Sequence, residues 1–177
     1  MNNEENVNAA INLLDQILQK TNFEDVSAES TGFEALPDGY YLSQLEDTKL
    51  TTSKNSGQPM VSLTFKIVED GHSVNNDNQF VTINGTKNRK IFKHYVMKDE
   101  SSVKRFASDM LKFEDDNGPV LPKEAFTTSE TILDSLDAIT GMNIYIQSDT
   151  SEKDDGSKST WYNLISWKRS KDLELPV

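Results

Sequence analysis

Residues 57–97 constrain the fold of this chain most strongly, because they contain two segments with the alternation of a half-buried strand. In GQPMVSLTFKIVEDG, apolar residues fill every second position from Val61 to Ile67, with polar residues between them. In NRKIFKHYVMKD, apolar and basic residues alternate. One face of this second segment carries Arg89, Ile91, Lys93 and Tyr95, and the other carries Lys90, Phe92, His94 and Val96. A period of two with β-branched and aromatic residues predicts antiparallel strands.

The second of these strands is unusually basic for an acidic protein. Three basic residues and a histidine lie within residues 89–94, in a chain of 177 residues with a net charge of -11. We expect Lys93 and Tyr95 to point outward from this strand and Phe92 to pack in the core. The functional interpretation starts from this basic strand.

The composition excludes several classes of protein. A net charge of -11 and a pI near 4.6 argue against the binding of polyanions over the whole surface. Without cysteine there is no disulfide and no thiolate metal site. No run of eighteen apolar residues predicts a membrane span. The N-terminus MNNEENVNAA lacks the basic and apolar regions of a signal peptide, so we expect a cytoplasmic protein.

Residues 1–38 are predicted to be an N-terminal helix and an acidic linker. Residues 6–20 have the period of an amphipathic helix. Its apolar stripe consists of Val7, Ala10, Ile11, Leu14, Ile17 and Leu18. Residues 1–38 hold eight acidic residues and one basic residue, so their net charge is -7 and that of residues 39–177 is -4. The helix either packs on its own domain, or forms a homo-oligomer or docks on a partner.

Residues 39–170 predict five strands, with helices between the third and the fourth. The predicted strands are Tyr40–Thr52, Gln58–Glu69, Asn88–Met97, Met142–Gln147 and Thr160–Ser170. Helices are predicted to start near Asp99 and near Thr128 or Ser129. Residues 70–87 and 149–159 are expected to be loops, with a candidate short strand at residues 79–84 that ends in the hairpin-prone pair Asn84-Gly85. The tail 171–177 is expected to be unstructured.

This order of elements is that of an OB-fold, a five-stranded Greek-key barrel with a helix between strands 3 and 4. A four- or five-stranded α+β sandwich has the same order. The leucines of the first strand do not keep one phase, which predicts a bulge and a bent strand. The bent strand and the two long loops favour the barrel, so the predicted fold class is mainly β (α+β), with an OB-fold-like barrel.

Five segments across residues 37–170 resemble the phage-encoded single-stranded-DNA-binding proteins of Gram-positive hosts, a family often described only as a phage domain of unknown function. The segments are PDGYYLSQLEDTKLTTSKNSGQPMVSLTFKIVE, RKIFKHYVM, KRFASDML, TGMNIYIQ and WYNLISWKRS. The resemblance implies an OB-fold that coats single-stranded DNA during phage replication or recombination in the host cell. It also implies a phage recombinase, helicase or primase as a candidate partner.

Sequence-tolerant binding of single strands needs cations for the phosphates and aromatic faces for the bases. The predicted second, third and fifth strands and the first hairpin supply both. The predicted nucleic-acid-binding residues are Lys49, Lys54, Lys66, Arg89, Lys93, Tyr95, Trp161, Trp167, Lys168 and Arg169. The alternative role of the aromatics is core packing. The alternative role of the lysines is a charged strand edge that discourages aggregation.

We expect neither catalysis nor a cofactor. His72 and His94 have no metal-ligand spacing around them, and no phosphate loop, nucleophile elbow or dinucleotide fingerprint is present. The alternative function is an acidic protein-binding module, or an inhibitor that mimics the charge of DNA to occupy a host enzyme. The net charge favours this alternative, and the basic third strand counts against it.

Overall fold

The computed structural model describes residues 3–20 and 35–176, with side chains from residue 7 onward. The chain divides between Ala35 and Leu36 into two compact units. In the first unit, α1 spans Asn3–Lys20, which confirms the predicted helix and adds three residues to its start. The apolar side chains of α1 are about half exposed. The predicted linker, at residues 21–34, lies outside the described residues.

The second unit is built mainly from strands. These are β1 (Gly39–Thr52), β2 (Pro59–Ile67), β3 (Gly71–Val74), β4 (Phe80–Ile83), β5 (Lys90–Val96), β6 (Glu114–Asp115), β7 (Gly118–Pro119), β8 (Asn143–Glu152) and β9 (Lys158–Ile165). The helices are α2 (Glu100–Met110), α3 (Ser129–Ile139) and α4 (Trp167–Asp172), with a 3-10 turn at Lys123–Phe126. The protein is therefore mainly β, with an antiparallel sheet and an N-terminal helix.

The sheet is organised around β1, which has different partners along its two halves. Residues 39–44 pair with β8, and residues 43–52 pair with β2, both antiparallel. The register with β2 shifts between Leu45 and Asp47, which confirms the predicted bulge. β2 pairs with β5, β8 pairs with β9, and the β3–β4 hairpin joins β1 at Tyr40.

The strands β5 and β9 approach each other without forming a ladder in the described part of the chain. The Lys93 ammonium on β5 donates a hydrogen bond of 2.6 Å to the backbone carbonyl of Tyr162 on β9. A side chain, rather than a row of backbone hydrogen bonds, therefore connects the two strands at this point.

The core lies between the inward faces of the main strands and the helices α2 and α3. The inward positions of β2, from Val61 to Ile67, are all at most 1% exposed, as their alternation predicts. Phe106 of α2 and Ile139 of α3 are fully buried. Complete burial of one such side chain stabilises the fold by about 1.5–3 kcal/mol.

Capping side chains explain why α2 and α3 begin where the sequence predicts. The Asp99 carboxylate accepts the backbone N–H of Ser102, and the Ser102 hydroxyl accepts the backbone N–H of Asp99. Thr128 and Thr131 form the same reciprocal pair at the start of α3. Each cap satisfies N–H groups that the helix itself leaves without a partner.

Several boundaries of the predicted strands and loops are wrong. Residues 70–87 contain the β3–β4 hairpin, in which β4 matches the candidate strand at residues 79–84 and β3 was not predicted. Most of residues 149–159 belong to β8 and β9, because polar residues continue the ladder from Asp149–Trp161 to Glu152–Lys158. The fifth strand ends at Ile165, since the Ser166 hydroxyl caps α4.

Residues near both ends of the second unit belong to its core, contrary to the sequence prediction. Leu36, assigned to the linker, is 4% exposed, and its carbonyl accepts a hydrogen bond from the Ser148 hydroxyl at 3.4 Å. Leu175, assigned to the tail, is also 4% exposed and packs with Tyr145 and Ile165. The folded unit is therefore longer at both ends than residues 39–170.

Candidate functional site

The surface that points away from the core on β1, β2 and β5 is the candidate site, and we call it the outer face. Directly paired residues of antiparallel strands lie on the same side of a sheet, so the register defines this face. Its four cross-strand rows are Gln44–Lys66–Lys90, Asp47–Thr64–Phe92, Lys49–Ser62–His94 and Thr51–Met60–Val96.

An aromatic ring stands at the edge strand of the outer face. Phe92 is 57% exposed, and its cross-strand neighbour Thr64 is a small polar residue. The prediction that Phe92 packs in the core is wrong, because its neighbours along β5, Ile91 and Lys93, are the residues that point inward. The ring of Phe92 therefore offers a hydrophobic face to a ligand.

Three lysines surround this ring on the outer face. Lys66 and Lys90 are directly opposite each other in one row, and Lys49 occupies the row on the other side of Phe92. The Lys90 ammonium contacts the Glu46 carboxylate at 2.5 Å, and the Lys49 ammonium lies 3.5 Å from the Asp47 carboxylate. The Lys49–Asp47 pair is exposed and the Lys90–Glu46 pair is partly exposed, so both contribute little stability and a phosphate can replace the carboxylate in each.

His94 adds a polar aromatic ring beside Phe92. The two residues are two positions apart on one strand, which places them about 7 Å apart on the same side. The His94 Nδ1 lies 2.8 Å from the Ser62 hydroxyl, which fixes the orientation of the ring. The Nε2 atom at the other edge of the ring is left for a ligand.

The predicted outward positions of Lys93 and Tyr95 are wrong. Both side chains point inward, toward the Asp109 carboxylate on α2. Tyr95 is 6% exposed, and its hydroxyl donates to Asp109 at 2.7 Å, so it offers no free face to a base. The Lys93 ammonium lies 3.8 Å from Asp109, and burial lowers the pKa of Lys93 below its ordinary value.

These inward side chains form a polar cluster that joins α2 to the sheet. Asp109 also accepts a hydrogen bond of 2.8 Å from the Lys112 ammonium. Burial, together with the negative charge of Asp109, raises the pKa of the Tyr95 hydroxyl far above its ordinary value. Tyr95 therefore stays protonated and acts as a hydrogen-bond donor. The cluster of Lys93, Tyr95, Asp109 and Lys112 has a structural role.

Three predicted residues lie on α4 and not on a strand. Trp167 begins this helix, and the Lys171 ammonium lies over its ring, 5.1 Å from the ring centre. The backbone N–H of Lys168 donates to the Glu114 carboxylate at 3.1 Å. Arg169 is exposed on the same helix. The ladder does not bring these three residues to the outer face.

The remaining predicted residues are distributed over several elements. Lys54 is exposed in the loop between β1 and β2, next to the outer face. Arg89 is half-buried just before β5 begins. Trp161 is 60% exposed on β9, and its cross-strand neighbour is Asp149. Of the ten predicted residues, only Lys49 and Lys66 lie on the outer face itself.

The sequence analysis missed Phe92, Lys90 and His94 as members of this site. The signal that could have identified them is the pairing of β5 with β2. Because Phe65 is an inward residue of an unambiguous strand, its cross-strand partner Ile91 must also point inward. That placement would have put Phe92 and His94 outward.

Two other kinds of site are not formed here. A groove of about 760 Å³ lies between the ends of β1 and β2, α2 and α3, but no charged residue lines it, so it does not suit a phosphate. Within the described residues, no three His, Asp or Glu side chains are grouped to hold a metal ion. Among the helices described, none is long and apolar enough to cross a membrane.

A comparison with known proteins identifies the family of this chain. No curated protein shows significant similarity to it. The model of a family described as "Protein of unknown function (DUF669)" matches residues 22–115, which is more than half of the chain. The matched range includes β1, β2, β5 and α2, and therefore the whole outer face, but ends before β8 and β9. The chain belongs to this family of unknown function, DUF669.

Proposed function

We propose that the protein binds single-stranded DNA without strong sequence preference, and that the outer face is its binding surface. The observation that carries this proposal is the exposed ring of Phe92 among Lys49, Lys66 and Lys90. Bases of any identity can stack on an aromatic face, and lysines can neutralise the phosphates between them. Double-stranded DNA hides its base faces, so single strands are the preferred ligand.

The proposal includes an OB-fold-like arrangement of β1, β2, β5, β8 and β9. Its support is the division of β1 between β2 and β8, and the antiparallel pairs β2–β5 and β8–β9. The hydrogen bond from Lys93 to Tyr162 brings the last strand next to β5, where a barrel would close. α2 and α3 follow β5 and precede β8, at the position of the helical connection in an OB-fold.

The biological setting that we propose is phage replication or recombination in the host cytoplasm. The support is the sequence resemblance described above, together with a surface that suits single strands. A recombinase, helicase or primase acting on the same strand is the proposed partner. A second copy of this chain, associating through residues 6–20, is a further proposed partner, since the apolar residues of α1 are about half exposed on one stripe.

A direct titration tests the proposed function. A fluorescein-labelled thirty-residue oligothymidylate is titrated with the full chain at low salt, and its anisotropy is measured. We expect binding at micromolar protein or below, weaker binding to a duplex of equal length, and a steep loss of affinity with salt as counterions compete. The absence of binding to the single strand under these conditions would refute the proposal.

The second candidate function is an acidic protein-binding module or a DNA-mimicking inhibitor. The net charge of -11 favours it. The same titration separates the two candidates, because a charge mimic of DNA repels the oligonucleotide. Retention of the oligonucleotide by the outer face would exclude this candidate as the main function.

A further inference from the structure

We infer that a cleft beside the outer face, formed by Ser56, His94, Lys98, Ser102 and Arg105, is a phosphate subsite for the DNA backbone. The cleft has a volume of about 470 Å³. This inference rests on the proposed function and adds a second contact with the DNA to it. None of the residues that line the cleft is acidic.

Three elements bring cationic or protonatable groups to the cleft. His94 belongs to β5, Lys98 lies in the turn after β5, and Arg105 lies on α2. His94 is also a member of the outer face, so the cleft begins where the row Lys49–Ser62–His94 ends. A strand whose base contacts Phe92 would therefore meet this cleft with a neighbouring phosphate.

The two cations of the cleft, Lys98 and Arg105, differ from most nearby lysines in that, among the described residues, they are not paired with a carboxylate. Lys49, Lys90 and Lys104 are each in an ion pair with a carboxylate. Across residues 7–20 and 35–176, the side chains of Lys98 and Arg105 are in no ion pair and no hydrogen bond. No direct contact of this kind within the described chain therefore competes with a ligand for these two cations.

One carboxylate competes with a ligand for these cations. Asp99 interacts electrostatically with Lys98 and Arg105, and its pKa is lowered mainly by hydrogen bonds from Ser102, with smaller contributions from these two cations. The Asp99 carboxylate is fixed as the N-cap of α2, where it accepts the Ser102 N–H at 2.8 Å. It therefore reduces the positive charge of the cleft without occupying it.

Two hydroxyls lie in the cleft, and they are not equally available. The Ser102 hydroxyl is already engaged, because it donates to the Asp99 carbonyl and accepts two backbone N–H groups. The Ser56 hydroxyl accepts only a long contact of 3.5 Å from the backbone N–H of Gln58. Ser56 can therefore donate to a phosphate oxygen. Arginine, lysine and a hydroxyl are the groups that hold DNA phosphates in position without reading the bases.

The test compares Lys98→Gln, Arg105→Gln and the double variant with wild type, using full-length protein and labelled oligothymidylate at 25–200 mM NaCl. The matched control is Lys104→Gln, on the same helix, which removes one positive charge that is already paired with Glu100. We expect the double variant to bind roughly 3- to 30-fold more weakly at low salt. Its plot of log affinity against log salt should become shallower by about 1.4, which is two phosphate contacts on a single strand.

The outcomes separate this inference from the proposed function. If wild type binds the oligonucleotide but the double variant keeps the same affinity and salt slope, the cleft is not a phosphate subsite. If Lys104→Gln weakens binding as much as Lys98→Gln, the effect is general charge and the subsite is also refuted. Failure of wild type to bind would instead refute the proposed function. Thermal melting confirms that each variant is folded.

Discussion

Replacing Phe92 with alanine should separate binding from stability, because the ring is 57% exposed and stands on the outer face. Complete burial of a phenylalanine side chain is worth about 1.5–3 kcal/mol, and less than half of this side chain is buried. We therefore expect Phe92→Ala to lower the free energy of unfolding by only about 1 kcal/mol. If one base stacks on the ring, the lost stacking is about 1–3 kcal/mol of binding free energy.

The binding loss corresponds to a rise of about 5- to 150-fold in Kd, since 1.4 kcal/mol is tenfold. Fluorescence anisotropy with oligothymidylate measures it. The salt slope should not change, because the substitution removes no phosphate contact. Leu133→Ala, at a 42%-exposed apolar residue of α3, is the control and should bind as wild type does.

Tyr95→Ala should give the opposite result, because Tyr95 points inward from the same strand. Tyr95 is 6% exposed, and truncating a large buried aromatic costs about 3–5 kcal/mol of stability. Urea unfolding should therefore show a large loss for Tyr95→Ala and a small one for Phe92→Ala. A Phe92→Ala protein that is folded and binds the oligonucleotide with unchanged Kd would refute the assignment of the outer face.

Three further perturbations test the structural account. Asp109→Ala leaves the partly buried Lys93 without its carboxylate, so urea unfolding should show that the free energy of unfolding falls by about 3 kcal/mol. The control is Glu100→Ala, which removes an exposed ion pair and should lower the free energy of unfolding by about 0.5 kcal/mol or less. Equal losses would contradict the structural role of the cluster. A hydrogen bond from the backbone N–H of Lys87 is the main cause that lowers the pKa of the Asp70 carboxylate in the folded protein. The ionised carboxylate therefore stabilises the fold above about pH 4, the pKa of a carboxylate in the unfolded chain, and this stabilisation is lost as the pH falls through the lower pKa of the folded state. The melting temperature of Asp70→Asn should therefore fall less than that of wild type between pH 5 and pH 2. Parallel plots of melting temperature against pH for the two proteins would contradict this prediction. A protein that begins at Leu36 should melt at the same temperature as the full chain. It should bind single strands more tightly at low salt, because the acidic residues before Leu36 no longer compete with DNA for the cations. An unfolded product would contradict the division into two units.

Local sequence signals predicted much of the fold correctly. The alternation in β2 has apolar residues on one face only, so it identified the inward face without reference to any other strand. Asp99 and Thr128 are capping residues that act within one helical turn, and the helices begin where they predict. The leucines of β1 indicated a bulge, because a bulge changes the phase of a strand within a few residues.

The face of β5 could not be assigned from the strand alone. Both of its faces contain apolar and basic side chains, so the alternation alone does not decide whether Tyr95 or Phe92 is buried. The decision comes from the pairing with β2, which is a contact between residues about 30 positions apart. A long-range polar contact, from Tyr95 to Asp109, then satisfies the buried hydroxyl. Because Lys90, Phe92 and His94 all lie on this strand, assigning its faces wrongly also excluded them from the predicted site.

The outer part of the β8–β9 hairpin gave no hydrophobic signal for a different reason. Thr150 and Thr160 face each other across the hairpin, with their hydroxyls 3.1 Å apart. Such pairs stabilise a ladder through hydrogen bonds and β-branched shape rather than through burial. A prediction based on apolar alternation ends the strands too early where the pairs are polar.

The divided pairing of β1 also sets the order in which the domain can fold. The residues of β1 that pair with β2 are separated from their partners by at most about 25 positions in the sequence. Ser43 also pairs with Ile144 of β8, which is about 100 positions away. During synthesis at about 5–20 residues per second, β1, β2 and β5 can be complete several seconds before β8 emerges. Closure of so long a loop is slow, and until it occurs the first half of β1 is an open edge exposed to other chains. We therefore expect the pairing of β1 with β8 to limit the folding rate of the domain and the time during which it is exposed to aggregation.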